Sequence, residues 1–241
     1  MAVTSVLDVK DLTINYDNFP AVDNISFDVQ QGDCLGIVGP NGAGKTTLFR
    51  SVAGLSSIDT GEIFLGKKEV SSYDIEKRSL QGLKYVPQED SLFEELSLLE
   101  NLTAAIELQF KKIHNKHTEK IDFYLEKMKL QNKANIKAKF LSGGEKRKTE
   151  ILRAILLDAK CILLDEPFAG VDPISVEEII KILKDLKENL TIFISDHNFR
   201  DVMKVCDEII LMNQGEILLN GPPEIVQNDR LAQKLYFGEI N

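Results

Sequence analysis

Gly39-Pro40-Asn41-Gly42-Ala43-Gly44-Lys45-Thr46 fits the pattern G-x-x-x-x-G-K-[ST] in full. The run before it, Cys34-Leu35-Gly36-Ile37-Val38, is short and apolar, as a buried strand should be. Lys45 to Ala53 has helical composition and meets a stop at Gly54. Strand, glycine loop and helix, in that order, are the context in which this motif holds phosphate. Backbone N–H groups of such a loop converge on phosphate oxygens, and the positive end of the helix dipole adds to them. Lys45 is then expected to reach the β- and γ-phosphates, and the Thr46 hydroxyl to bind Mg²⁺. A nucleoside triphosphate is the expected ligand.

The 241 residues allow one large domain, or a domain with an inserted lobe. Hydrophobic residues at 43% and charged residues at 28% place the chain among ordinary globular proteins. Cys34, Cys161 and Cys206 show neither metal-ligand spacing nor a disulfide framework, so buried free thiols in a reducing compartment are expected. The N-terminus has no basic-then-apolar signal and no apolar run approaches a membrane span, which predicts a cytosolic chain that meets membranes through partners. A net charge of -9 argues against general nucleic-acid binding.

Val6 to Val29 alternates apolar and polar residues, with Asp17-Asn18 and Asp23-Asn24 as turn signals, and predicts short antiparallel strands. Tyr16 ends one of them; an aromatic there is ordinarily core or rim packing. Further strands are expected at Gly61–Gly66 and Leu83–Gln88. From Leu92 to Phe140 the pattern turns helical, with Leu96, Leu99 and Leu102 recurring at threes and Ile121, Leu125 and Met128 sharing a face of a helix starting near Thr118. Residues 111–139 carry nine lysines against Glu119, Asp122 and Glu126. Such a run ordinarily makes a solvated face, with contact to anionic lipid headgroups as the alternative. His114 and His117 have no carboxylate or cysteine to complete a metal site and are expected to be exposed.

Ser142 and Glu145 in Leu141-Ser142-Gly143-Gly144-Glu145 form a capping box, and a glycine-rich helix start is also an anion site. Cys161-Ile162-Leu163-Leu164-Asp165-Glu166 is an apolar strand ending in two acids, where open α/β sheets bind ligands. Beside a phosphate loop, Asp165 is expected in the Mg²⁺ shell and Glu166 against the attacking water. Asp172-Pro173 starts another helix, Leu190–Ser195 is a buried strand leading to Asp196-His197, and Glu208–Leu219 predicts a hairpin around Asn213-Gln214-Gly215. Pro222-Pro223 precedes a short C-terminal helix.

The order of these pieces resembles the ABC-type ATPases over nearly the whole chain. The resemblance implies an α/β fold: a P-loop NTPase (RecA-like) core with an N-terminal antiparallel β-subdomain (1–88 and 146–241), and an inserted α-helical subdomain at 89–145. It implies that Tyr16 stacks on adenine and that Gly39 to Thr47 (Gly39, Pro40, Asn41, Gly42, Ala43, Gly44, Lys45, Thr46, Thr47) is the Walker A loop. Gln88 is then the glutamine that senses Mg²⁺. Ser142, Gly143, Gly144 and Glu145 become the signature that contacts ATP held by a second copy. By the same resemblance Asp165 is the Walker B aspartate, Glu166 the catalytic glutamate, Asp172 a residue of the loop crossing a homodimer interface, and His197 the switch at the γ-phosphate. Two membrane-spanning permease subunits are implied as partners, docking their cytoplasmic coupling helices against Phe93, Glu94 and Glu95.

Leu164 to Val176 is similar, more narrowly, to ATPases of lipopolysaccharide exporters, as are Pro87-Gln88-Glu89, Phe93 and Tyr236-Phe237-Gly238-Glu239. Where basic residues tend to follow the phenylalanine in those relatives, Glu94-Glu95 stands here, which predicts a more basic coupling helix. ATPases of branched-chain amino acid importers share the motifs but not the Phe168–Val176 run. The soluble ABC ATPases of iron–sulfur cluster assembly do not fit Glu166-Pro167-Phe168.

Overall fold

The computed structural model describes residues 5–16 and 19–236. Two long strands open the chain, β1 (Ser5–Tyr16) and β2 (Phe19–Gln30), paired antiparallel from Ser5–Gln30 to Tyr16–Phe19. Asp17-Asn18 lies outside the described residues. Asp23-Asn24 is not a turn: it sits inside β2, where Asn24 takes φ 49° beside a register shift, so its turn chemistry serves a bulge. Then come β3 (Cys34–Val38) and α1 (Lys45–Ala53), which ends at Gly54. They are followed by β4 (Thr60–Leu65), β5 (Lys68–Glu69), α2 (Ile75–Leu80) and β6 (Leu83–Val86).

A helical stretch follows: α3 (Leu98–Phe110), α4 (Asn115–Lys127) and α5 (Gly143–Leu156). The chain returns to the core through β7 (Cys161–Asp165), α6 (Pro173–Leu186), β8 (Thr191–Ser195) and α7 (Phe199–Val205). The hairpin β9 (Glu208–Asn213) and β10 (Glu216–Gly221) leads to α8 (Pro223–Asn228) and α9 (Arg230–Tyr236).

Two sheets result. One is antiparallel, in the order β2-β1-β4-β5; the other runs β10-β9-β3-β8-β7-β6, parallel except for β10 at its edge. Strands β3, β7 and β8 are buried at every residue, as expected of a parallel sheet covered on both faces. Their side chains alternate between two cores. Leu35 and Ile37 join α1 and the antiparallel sheet, while Cys34 and Val38 join the helices on the other face. The cysteines are free and buried as expected, and the fold brings Cys34 Sγ to 3.3 Å from Cys206 Sγ.

The helical stretch departs from its sequence reading in three places. Leu96 precedes α3, because Ser97 caps that helix in a capping box with Glu100, and the buried face is Leu98, Leu102 and Ile106. Helix α4 starts at Asn115 rather than near Thr118. His117 is buried rather than exposed, its ring stacked on Phe110 at 5.0 Å and its Nδ1 accepting the His114 N–H.

The lysine-rich segment is largely neutralised by acids distant in sequence. Lys120 pairs with Asp158, Lys127 with Asp185, Lys129 with Glu178 and Lys133 with Glu145. Lys137 and Lys139 share Glu95 at 3.1 and 2.8 Å. A stitched arm of this kind favours the solvated-face reading over a free cationic surface. Among the described residues no helix is long and apolar enough to cross a membrane.

Candidate active site

Helix α1 starts at Gly44, whose φ of 99° is a left-handed conformation and whose missing Cβ would fall 2.2 Å from the Ala21 carbonyl. Only glycine tolerates both conditions. No side chain caps the helix start, so its first-turn N–H groups remain available to an anion. Lys45 is 6% exposed and donates to the carbonyls of Gly39 (2.7 Å) and Pro40 (3.1 Å), folded along the loop it serves. Burial lowers its pKa, opposed by the carboxylates of Glu166, Asp196 and Asp165.

The C-terminal ends of β6, β7 and β8 bring the other predicted groups to the same edge of the sheet. Glu166 follows β7 with φ 45°, a left-handed position where a non-glycine residue is strained, and its N–H donates to Ser195 O at 2.7 Å. Its Oε2 accepts from Gln88 Nε2 at 2.9 Å and lies 3.3 Å from His197 Nδ1. Gln88, Glu166 and His197 therefore meet on one carboxylate oxygen. Asp196, beside the histidine, accepts from the N–H groups of Phe168 and Asn198 and so fixes the chain on either side of the cluster.

Asp165 is buried, its carboxyl pKa raised by that burial, and its Oδ1 has no hydrogen-bond partner. A desolvated carboxylate oxygen left open at the end of β7, which β8 alone separates from the phosphate-loop strand β3, suits a hard oxygen-seeking cation. Asp165, the Thr46 hydroxyl and Gln88 are the residues that would hold Mg²⁺, whose charge would offset that on a transferring phosphoryl group.

Two features of the site were not legible beforehand. The first is Tyr85, on β6, whose hydroxyl donates to Asp165 Oδ2 at 3.0 Å. Tyr85→Phe is expected to free the carboxylate to turn, raising the Mg²⁺ concentration for half-maximal ATP binding about fivefold to tenfold, the scale of one such hydrogen bond. A Mg²⁺ titration of fluorescent ATP-analogue affinity measures this, with Mg²⁺-free affinity unchanged.

The second is a buried network tying the Gln88 loop to α5. Arg147 donates to the carbonyls of Pro87 (2.7 Å) and Gln88 (2.8 Å) and to Glu150 (3.0 Å). Glu150 in turn accepts from Ser91 N at 2.6 Å and Ser91 Oγ at 2.7 Å. Arg153 donates to Ser91 as well. The available sequence signal was Arg147, Glu150 and Arg153 recurring at threes along α5.

The signature residues gather elsewhere. Ser142 Oγ accepts from Glu145 N, and Glu145 Oε2 accepts from Ser142 N, confirming the capping box. A Cβ on Gly144 would fall 2.3 Å from Ser175, so this helix start packs directly on the start of α6, which Asp172 caps through Ser175 N. Among the described residues no hydrogen bond or ion pair links Ser142, Gly143, Gly144, Glu145 or Asp172 to Lys45, Asp165 or Glu166. The backbone of Tyr16 ends β1, but its side chain lies outside what the structure describes, as do Phe237, Gly238 and Glu239.

Phe93, 56% exposed, lines a groove of about 510 Å³ with the exposed Leu80 and Leu108, rimmed by Glu76, Lys111 and Arg153. Glu94 is exposed beside it. Glu95 does not wait for a partner's cation: Lys137 and Lys139 hold its carboxyl below the usual carboxylate range.

The ABC transporter family profile matches residues 22–169, from β2 through the loop after Glu166. The lipopolysaccharide export system ATP-binding proteins LptB of Haemophilus influenzae and of Escherichia coli K12 are 39% and 36% identical, each alignment covering 98% of both chains. Among solved structures, an ATP-binding cassette of an ABC transporter in its ADP conformation superposes with a TM-score of 0.88 at 29% identity, covering 98% of this chain and 99% of that one. By the family profile and by end-to-end similarity to these proteins, this chain, with its phosphate loop and the paired acids beside it, belongs to the ABC transporter family as an ATP-binding, ATP-hydrolysing subunit.

Proposed function

We propose that the chain powers a lipopolysaccharide exporter, extracting that lipid from the inner membrane towards the outer membrane, and that it does so as a homodimer. The observation that carries the lipid assignment is end-to-end similarity to proteins named for lipopolysaccharide export, at 39% and 36% identity. The substrate itself would be chosen by membrane subunits, since ATPase chemistry alone says nothing about cargo.

In this reading, Lys45 and the α1 start hold the phosphates while Tyr16 carries the base. Glu166 orients and deprotonates the attacking water, with Gln88 and His197 placing its carboxylate. Ser142, Gly143, Gly144 and Glu145 of the second copy would close over the γ-phosphate, and Asp172 would cross the interface. The packing of the signature helix start on the start of α6, rather than on the phosphate loop, supports this division, because each chain then holds half of two sites. ATP would favour the closed dimer and hydrolysis would release it. The helical lobe, 89–145, would pass that change to two permease subunits through the Phe93 groove and hold the chain at the cytoplasmic face of the inner membrane. An apolar helix face with a cation opposite Glu94 fits the groove.

Affinity purification of the tagged chain from detergent-solubilised membranes tests the proposal. Two different membrane subunits recovered with lipopolysaccharide are the expected result. Small permease subunits with an amino-acid-binding protein, or recovery only with soluble assembly factors, would overturn the export assignment and leave the ATPase standing.

A further inference from the structure

Phe19 opens β2 with its ring 78% exposed. One exposed apolar side chain needs no explanation in itself; its surroundings supply the argument. Two residues on, the Ala21 carbonyl abuts Gly44, at the start of the phosphate-binding helix, so closely that a Cβ there would lie 2.2 Å from it. Gly215, in the β9–β10 turn, donates to Ala43 O at 3.0 Å and accepts from Asp23 N at 2.8 Å. The start of β2, the phosphate loop and that turn are thus interlocked by backbone contacts. Phe19 lies one strand repeat, about 7 Å, from this junction. Pro20 follows it, which fixes the next φ and biases Phe19 towards extended backbone, so the ring stands on a restrained segment. Across the hairpin its register partner is Tyr16.

We propose that Phe19 is a second base platform of the nucleotide site, contributing affinity for the base and ribose rather than for the phosphates. The proposal rests on the nucleotide-binding reading above. A phenyl ring has no donor or acceptor, so it recognises a π-face and an apolar sugar edge and leaves the phosphates to Lys45 and the loop. Its role is to make the site prefer a nucleotide over a bare polyphosphate.

The chain contains no tryptophan, so Phe19→Trp places a single indole reporter at this position. ATP is expected to change its emission, whereas inorganic tripolyphosphate is not. In Phe19→Ala, ATP and ADP should bind roughly 5- to 30-fold more weakly by calorimetry, the effect of losing one aromatic contact to a base. Tripolyphosphate affinity and thermal midpoint should stay as in the wild type, since the ring is solvent-exposed. Unchanged ATP affinity in Phe19→Ala, or indole emission indifferent to ATP while the wild type binds it, would overturn the proposal alone. Failure of the wild type to bind ATP at all would remove it together with the nucleotide reading beneath it.

Discussion

Glu166→Gln is expected to bind ATP as the wild type does, to lose turnover by about 10²- to 10⁴-fold, and to accumulate as an ATP-bound dimer. The magnitude is that of removing a general base from the transition state. The substitution is nearly isosteric, and an amide oxygen at the same place still accepts the 2.9 Å bond from Gln88 Nε2. What it cannot do is take a proton from water. Lys45, the phosphate loop and Asp165 are untouched, so the groups that bind the triphosphate remain. The strained backbone at φ 45° is also kept, because glutamine and glutamate meet the same steric limits there. Single-turnover hydrolysis, nucleotide affinity and gel filtration with and without ATP separate the three parts of the prediction. Wild-type turnover would remove Glu166 from the base role; lost turnover without dimer accumulation would leave the base role intact and count against the ATP-bridged dimer.

The parts of this fold that were legible in the sequence are those in which a short segment dictates its own backbone. Gly44, the Ser142–Glu145 box, Asp172-Pro173 and the Asn213-Gln214-Gly215 turn each specify a local geometry whatever surrounds them, and each is found as read. What the sequence hid was pairing across distance. Nothing near Glu95 announces that Lys137 and Lys139 will reach it, and nothing in Tyr85 marks it as the donor to a carboxylate eighty positions on. The misread face of α3 has a different cause. Counting leucines at threes overlooked Ser97 as the cap and drifted off the helical repeat: at about 100° per residue a spacing of three slips by about 60° each turn, whereas the buried Leu98, Leu102 and Ile106 recur at fours. His117 was misjudged because histidine is intermediate between surface and core, and only the Phe110 ring decides the matter.

Arg78 is the largest fully buried side chain in the described structure, and its replacement is expected to be the most destabilising single change outside the nucleotide chemistry. From α2 it donates to the carbonyls of Ser51 (2.6 Å) and Val52 (2.7 Å), which end α1, and to those of Tyr73 and Ser71 at 2.9 Å. A helix leaves its last carbonyls without internal partners, and the negative end of its dipole lies there. One guanidinium answers both needs at once and ties α1 to the segment before α2. Burial brings its pKa down to about 10, so it remains a cation at neutral pH. Arg78→Met keeps the aliphatic bulk but leaves several buried carbonyls without donors. At roughly 1–3 kcal/mol per orphaned group, partly relieved by water entering, a loss of about 3–5 kcal/mol follows. Urea unfolding should show a lower midpoint at unchanged slope, the signature of lost stability without a change in the surface exposed. Arg78→Lys should recover only part of the loss, because an ammonium cannot span four carbonyls as the planar fork does. Because α1 begins at the phosphate loop, the same variant should weaken ATP binding at temperatures well below its unfolding midpoint. ATP affinity equal to wild type there would mean that Arg78 braces the end of α1 without transmitting order to its beginning.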